Sequence, residues 1–182
     1  MATHSHGNTA PSDWMRRFAP LIPASGVVLD VAAGSGRNSR WLAAAGYRVV
    51  AIDRDATVLD IDCARETLVV DLEQGLWPFP NRRFEGVVVA NYLHRPLFPV
   101  LCESVAEGGV LIYETFADGN QVLGRPARAE FLLRRGELLE HCRDLRVVAY
   151  EDGYIDSPKP ACVQRICAVR AGVTSGVARF GL

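Results

Sequence analysis

The sequence predicts an α/β protein with a doubly wound parallel sheet, and three observations predict it. Strand-length apolar runs alternate with helix-length segments from Val27 to Val169, the pattern of a parallel sheet with helices on both faces. The run Gly86 to Ala90 is almost pure valine, as expected of a central strand buried on both faces. Val27 to Val31 leads into Ala32-Ala33-Gly34-Ser35-Gly36-Arg37, a turn of small residues that feeds a helix.

Each element follows from local pattern. Ser12 to Ala19 reads as a short amphipathic helix with Trp14, Met15 and Phe18 on one side. Val27 to Val31 is the first strand, and Asn38 to Ala45 its crossover helix, with Trp41 and Leu42 facing the sheet and Gly46 at the C′ position. Tyr47 to Ile52, Thr67 to Val70 and Gly86 to Ala90 are the second, third and fourth strands. A helix over Leu97 to Val105 closes at Gly108-Gly109, and Val110 to Tyr113 is the fifth strand. The irregular segment Asp118 to Arg135 precedes a helix over Gly136 to Cys142, then strands Arg146 to Tyr150 and Gln164 to Val169. A segment of that length inside a compact domain reads as a lid or binding loop, and together with the Ser12 to Ala19 helix it is expected to close over a bound ligand.

The strand ends carry the chemistry. Asp30, Asp53, Asp71, Asn91-Tyr92 and Glu114-Thr115 all directly follow apolar runs. Polar groups buried without partners are costly, so their recurrence along one edge argues for a shared polar site at the carboxyl ends of the strands. The glycine turn exposes backbone N–H groups to a ligand, and a carboxylate such as Asp53 can accept from both hydroxyls of a ribose diol. Together these describe a site for an adenosine-containing cofactor. A dinucleotide fingerprint would require a third glycine near Ser39 or Trp41, and Asp30 would repel a pyrophosphate. An NAD-linked oxidoreductase is therefore the alternative rather than the main reading.

Leu29-Asp30-x-Ala32-x-Gly34-x-Gly36 resembles the first motif of class I S-adenosylmethionine (SAM) dependent methyltransferases. That family more often has glycine where Ala32 stands, so the match expects Ala32 to keep a negative φ. The resemblance implies a Rossmann-like sheet of seven strands, mostly parallel, in which the sixth and seventh strands form a hairpin that places the last strand antiparallel between the fifth and sixth, with the Glu151 to Val163 connection making the excursion. It also implies roles. Asp30 would order the loop around a cationic amino-acid tail, with Ala32, Gly34 and Gly36 beneath the amino-acid and ribose portion. Asp53 would take the ribose hydroxyls, Asp71 the adenine amino group, the Leu72 N–H a ring nitrogen, and Asn91 the methionine ammonium. The stretches Arg54 to Val58 and Trp77 to Phe79 would sandwich the adenine. Methyl transfer needs chiefly orientation, and His94, Tyr92, Tyr113 and Glu114 are the candidate catalytic groups if the acceptor must lose a proton.

The wider pattern Asn91-Tyr92-Leu93-His94-Arg95-Pro96, Tyr113-Glu114-Thr115-Phe116 and Gly136-Glu137-Leu138-Leu139 is similar to small bacterial methyltransferases of the tellurite-resistance and thiopurine type. This similarity implies a small-molecule acceptor. Arg125, Arg128, Arg134 and Arg135 in the long segment would suit an anionic one. A module that binds SAM without turnover is the remaining alternative.

Composition bounds the rest. At 182 residues and 49% apolar, the chain can bury a core as one domain, expected over residues 12–170 between tails at 1–11 and 171–182. A formal net charge of −1 leaves no electrostatic footprint for nucleic acid or an anionic membrane. No run approaches the ~20 apolar residues of a spanning helix. The five scattered cysteines read as buried small hydrophobes in a reducing cytoplasm, and His4 and His6 have no neighbouring ligands to complete a metal site. Oligomeric state is not encoded in any of these features.

Overall fold

A computed structural model describes residues 10–56 and 61–172. His4, His6, Val58 and most of the two expected tails lie outside the described residues.

Ser12 starts the first helix, α1 (Asp13–Phe18), by accepting the Met15 N–H on its hydroxyl at 3.0 Å. Asp13 in the first turn and Arg16 and Arg17 in the last complement the helix dipole, and Pro20 bends the chain into a short 3-10 turn. Trp14, Met15 and Phe18 are buried, and the Trp14 indole donates to the Ile166 carbonyl at 3.1 Å. This helix is therefore a fixed part of the core.

The remaining elements are β1 (Val27–Val31), α2 (Arg37–Ala44), β2 (Arg48–Asp53), β3 (Glu66–Val69), β4 (Phe84–Ala90), α3 (Phe98–Glu103), β5 (Val105–Phe116), α4 (Glu137–His141), β6 (Arg146–Ile155) and β7 (Ala161–Val169). One sheet of seven strands has the order β3-β2-β1-β4-β5-β7-β6. Strands β1 to β5 are parallel, and β7 runs antiparallel between β5 and β6, with Tyr113 opposite Ile166. The sheet order reverses between β1 and β4, which opens a crevice at their carboxyl ends.

Alternation along each strand divides the core between the two faces. Val28, Val49, Val88, Val110 and Ile112 pack with Trp14, Phe18 and Leu42 on the α1 and α2 side. Leu29, Val50, Val87, Val89, Leu111 and Tyr113 pack with Phe98, Leu101 and Leu138 on the α3 and α4 side. Every valine of β4 is buried, as expected of a central strand.

Several boundaries differ from the sequence expectation. Strand β5 begins at Val105, because Phe84 captures that residue in register before a bulge returns Gly86 to Val110. The Gly108-Gly109 pair accordingly lies inside β5, and α3 stops at Glu103. Strand β6 continues through Asp152 and Gly153, residues of low strand propensity that β7 pairs with Gln164 and Val163. The expected hairpin is present, but most of the Glu151 to Val163 connection is paired strand and only residues 156–160 join its arms. Among the described residues, the links from β2 to β3 and from β3 to β4 hold no helix. In the second link Gly75, Pro78 and Pro80 break helical periodicity, and Trp77 and Phe79 cover the sheet instead. Their rings lie 5.8 Å apart, and Phe79 meets Phe84 edge-on at 5.3 Å. These aromatics pack into the core and do not line the cavity beside Asp53.

Candidate functional site

Strand β1 ends where the chain must turn sharply under β2. Ala33 donates its N–H to the Ile52 carbonyl at 3.0 Å, and Gly34 donates to Asp53 Oδ2 at 2.8 Å. The loop after β1 is thereby tied to the end of β2. Gly36 has φ +75°, and a Cβ there would meet Ile61 Cδ1 at 2.5 Å, so both conformation and space require glycine. Ala32 has φ +53°, contrary to the negative φ expected of it. Tethering on both sides holds this alanine in the left-handed region, at a cost of about 1–2 kcal/mol.

Around this turn lies a cavity of about 270 Å³ lined by Ala32, Asp53, Arg54, Val70, Asp71, Leu72, Glu73, Tyr92 and Phe131. It gathers residues from the ends of β1, β2, β3 and β4 at the point where the strand order reverses. Six residues anticipated from the sequence meet here: Ala32, Asp53, Arg54, Asp71, Leu72 and Tyr92. Asp53 Oδ1 also accepts the Asp55 N–H at 3.0 Å, and Asp71 Oδ1 accepts the Glu73 N–H at 2.9 Å. A carboxylate has about four acceptor sites, so both retain capacity for a ligand. Three carboxylates against one guanidinium favour ligand hydroxyls, amines and cations over phosphates.

Other anticipated residues stand outside the lining. Asp30 is 1% exposed and lies under α2, where Ser39 Oγ donates to it at 2.5 Å. Burial pushes its carboxyl up to about 6, against the opposing effects of the Ser39 hydrogen bond and the Arg37 charge. Gly34, Gly36 and His94 are likewise not part of the lining, Gly34 being joined to it by its bond to Asp53, and Asn91, at φ +58°, sits at the end of β4 with its N–H donated to the Glu114 carbonyl.

The four candidate catalytic groups have different surroundings. Tyr92 borders the cavity, and burial together with the Glu73 and Asp71 charges pushes its phenol up to about 12, so it remains a proton donor at neutral pH. Tyr113 is 1% exposed, burial pushes its phenol well up, and its hydroxyl donates to the Tyr92 carbonyl at 2.8 Å. It orients the backbone beside the cavity. Glu114 Oε2 lies 3.2 Å from Arg165 Nε on the α1 side of the sheet. His94 is half-buried and precedes the 3-10 turn Arg95–Leu97.

The segment after β5 contributes a residue that sequence reasoning missed. Phe131, 42% exposed, supplies a wall of the cavity although it lies 78 residues beyond Asp53 in sequence. No periodicity marks it, although the length of the irregular segment signalled a binding role. The four arginines of that segment do not converge. Arg125 is exposed, Arg128 pairs with Glu130, and Arg134 lies against Glu137. Arg135 lines a separate cavity of about 560 Å³, where the Asp118 and Asp152 carboxylates stand with it. The expected anion-binding cluster is therefore not assembled. Helix α1, expected to close over the site, lines neither cavity.

Among the described residues there is no group of three or more potential metal ligands, and no helix is long and apolar enough to cross a membrane. Residues 3–150 match the family model described as a methyltransferase domain. The chain is 31% identical over 123 residues to the protein-L-isoaspartate O-methyltransferase of Chlorobaculum tepidum, covering 64% of this chain and 54% of that protein. It thus spans about half the length of this curated relative. Among solved structures, TehB from Haemophilus influenzae superposes with a TM-score of 0.67 at 18% identity, over 94% of this chain and 64% of that one. The glycopeptide N-methyltransferase MtfA, complexed with (S)-adenosyl-L-methionine, superposes with a TM-score of 0.61 at 17% identity, over 93% and 98%. At such identities the likeness is one of fold.

Proposed function

Because the chain belongs to the methyltransferase-domain family, we propose that it transfers a methyl group from SAM to a small-molecule acceptor. The observation that carries this reading is the carboxylate-rich cavity against the left-handed turn after β1. Its chemistry fits the donor. Asp53 offers acceptors to a diol, Asp71 offers one to an exocyclic amine, and a net negative lining suits a cationic sulfonium while repelling the pyrophosphate of a dinucleotide.

When bound, SAM supplies a methyl group already activated by its positive sulfur. The protein's task is then mainly to hold donor and acceptor in line, an effect of about 7–11 kcal/mol when alignment is good. Asp53 and Asp71 would hold the nucleoside, Gly34, over which nothing stands within 4 Å, would allow close approach to the backbone, Gly36 makes room for Ile61 beneath the turn, and Asn91 and Asp30 would order the surroundings of the amino-acid tail. Tyr92 keeps its proton and serves as a donor at the cavity wall. Tyr113 and Glu114 are engaged by the Tyr92 carbonyl and by Arg165, which leaves His94 as the group to remove a proton from an acceptor that needs it. The near-neutral net charge supports a small acceptor over a polyanion.

Calorimetric titration with SAM, S-adenosylhomocysteine and NAD tests the cofactor, with binding expected for the first two alone. Release of S-adenosylhomocysteine is then followed against a panel of small nucleophiles and an isoaspartyl peptide. NAD binding without SAM binding overturns the proposal, release with the peptide alone overturns its acceptor, and SAM binding with no release from any acceptor leaves a non-catalytic SAM module.

A further inference from the structure

Phe131 is held in place by an unusually complete set of backbone contacts. Arg95 Nη1 donates to the Glu130 carbonyl at 2.8 Å, and its Nη2 donates to the Leu132 carbonyl at 2.8 Å. The guanidinium therefore grips the carbonyls of the two residues that flank Phe131. The same guanidinium forms a two-pronged pair with Glu137, from Nε to Oε1 at 2.6 Å and from Nη2 to Oε2 at 3.0 Å. Glu137 has no exposed side-chain surface and also accepts the Arg134 N–H at 2.7 Å. Desolvation acts to raise its carboxyl, but the Arg95 and Arg134 interactions prevail and hold it down at about 2.

Arg95 lies three residues beyond Tyr92, another wall of the same cavity. One side chain thus connects the strand-end segment after β4 to the long segment after β5. A guanidinium satisfied in this way fixes backbone position more firmly than a lysine, whose single ammonium cannot reproduce a planar fork. The residue so fixed is a large, partly exposed aromatic beside Val70, Leu72 and three carboxylates. An aromatic ring there offers a surface for a flat heteroaromatic group whose polar edges the carboxylates receive.

We infer that Phe131 is a cofactor-contacting wall of the cavity and that Arg95, braced by Glu137, is the residue that positions it. This inference rests on the SAM reading of that cavity. Arg95 acts through Phe131, so its substitution should affect affinity only while Phe131 is present.

The test is calorimetric titration of S-adenosylhomocysteine into the wild-type protein, Phe131→Ala, Phe131→Tyr, Arg95→Lys and the Arg95→Lys/Phe131→Ala pair. Phe131→Ala should weaken binding about tenfold or more by loss of a stacked aromatic. Phe131→Tyr should stay near wild type, Arg95→Lys should bind several-fold more weakly, and the double variant should match Phe131→Ala. Tryptic cleavage after Arg128 and Arg134 should quicken in Arg95→Lys. Wild-type binding with Phe131→Ala within twofold of it overturns the inference and leaves the cofactor reading intact. Additive losses in the double variant overturn the positioning role of Arg95. A blank wild-type titration overturns the cofactor reading itself, and with it this inference. The Phe131→Ala arm stands whether or not Arg95→Lys folds.

Discussion

Asp53 joins the turn after β1 to the wall of the cavity in one side chain. It bonds the Gly34 and Asp55 N–H groups while facing the cavity, so the turn after β1 is preformed around the carboxylate. Asp53→Ala should weaken SAM binding by about 1.5–3 kcal/mol, the worth of a hydrogen bond to a charged group. Calorimetry checks this, and unchanged affinity removes the residue from the site. Asp30 makes a different prediction. Its carboxyl is raised to about 6, so the folded protein holds that proton more tightly than the unfolded chain does. The resulting stability is fully present below the ordinary carboxylate value near 4 and is lost as pH rises through about 6. Asp30→Asn should flatten urea stability between pH 4 and 6 and raise it at pH 7, by at most about 3 kcal/mol. An unchanged pH slope would count against this account. Asp53 and Asp71 were legible in the sequence because each ends an apolar strand. The depth of Asp30 was not, since it depends on Ser39 and the helix laid over it.

At the level of elements, apolar content alone located β1, β2 and β4, whose burial comes from both faces of the sheet. Strands β5, β6 and β7 outgrew their expected limits because partner strands, rather than their own residues, decide where pairing stops. Helix α1 was found from its periodicity, but its role was misread as a cover. Trp14 is 3% exposed and bonded to β7, so Trp14→Ala should destabilise the protein by about 3–5 kcal/mol in urea melts. Affinity of the folded variant for S-adenosylhomocysteine should be unchanged, and a selective loss of affinity would restore the helix to the site.

For the whole molecule, the alternation of strand-length and helix-length segments foresaw the sheet, and the order of its strands came from the resemblance carried by the glycine motif. Phe131 escaped notice because it reaches the cavity on a segment whose Glu130 and Leu132 carbonyls are held by Arg95 from a distant part of the chain. All five cysteines are free thiols, with Cys63 exposed and Cys142 and Cys167 buried. The hydrogen bond with Cys102 and burial push the Cys142 thiol well up, and burial pushes that of Cys167 up to about 12. A chromogenic thiol reagent at pH 8 should therefore label Cys63 rapidly and Cys142 and Cys167 only on unfolding. Rapid labelling of all five would contradict this packing. The place of β7 has a last consequence, for the growing polypeptide. Strand β6 leaves the ribosome before β7, yet its partner in the sheet is β7 alone, which also flanks β5. The first five of the seven strands can pair vectorially, while β6 must wait unpaired for a strand not yet made, so nascent chains paused before Ala161 should be the ones that most need chaperones.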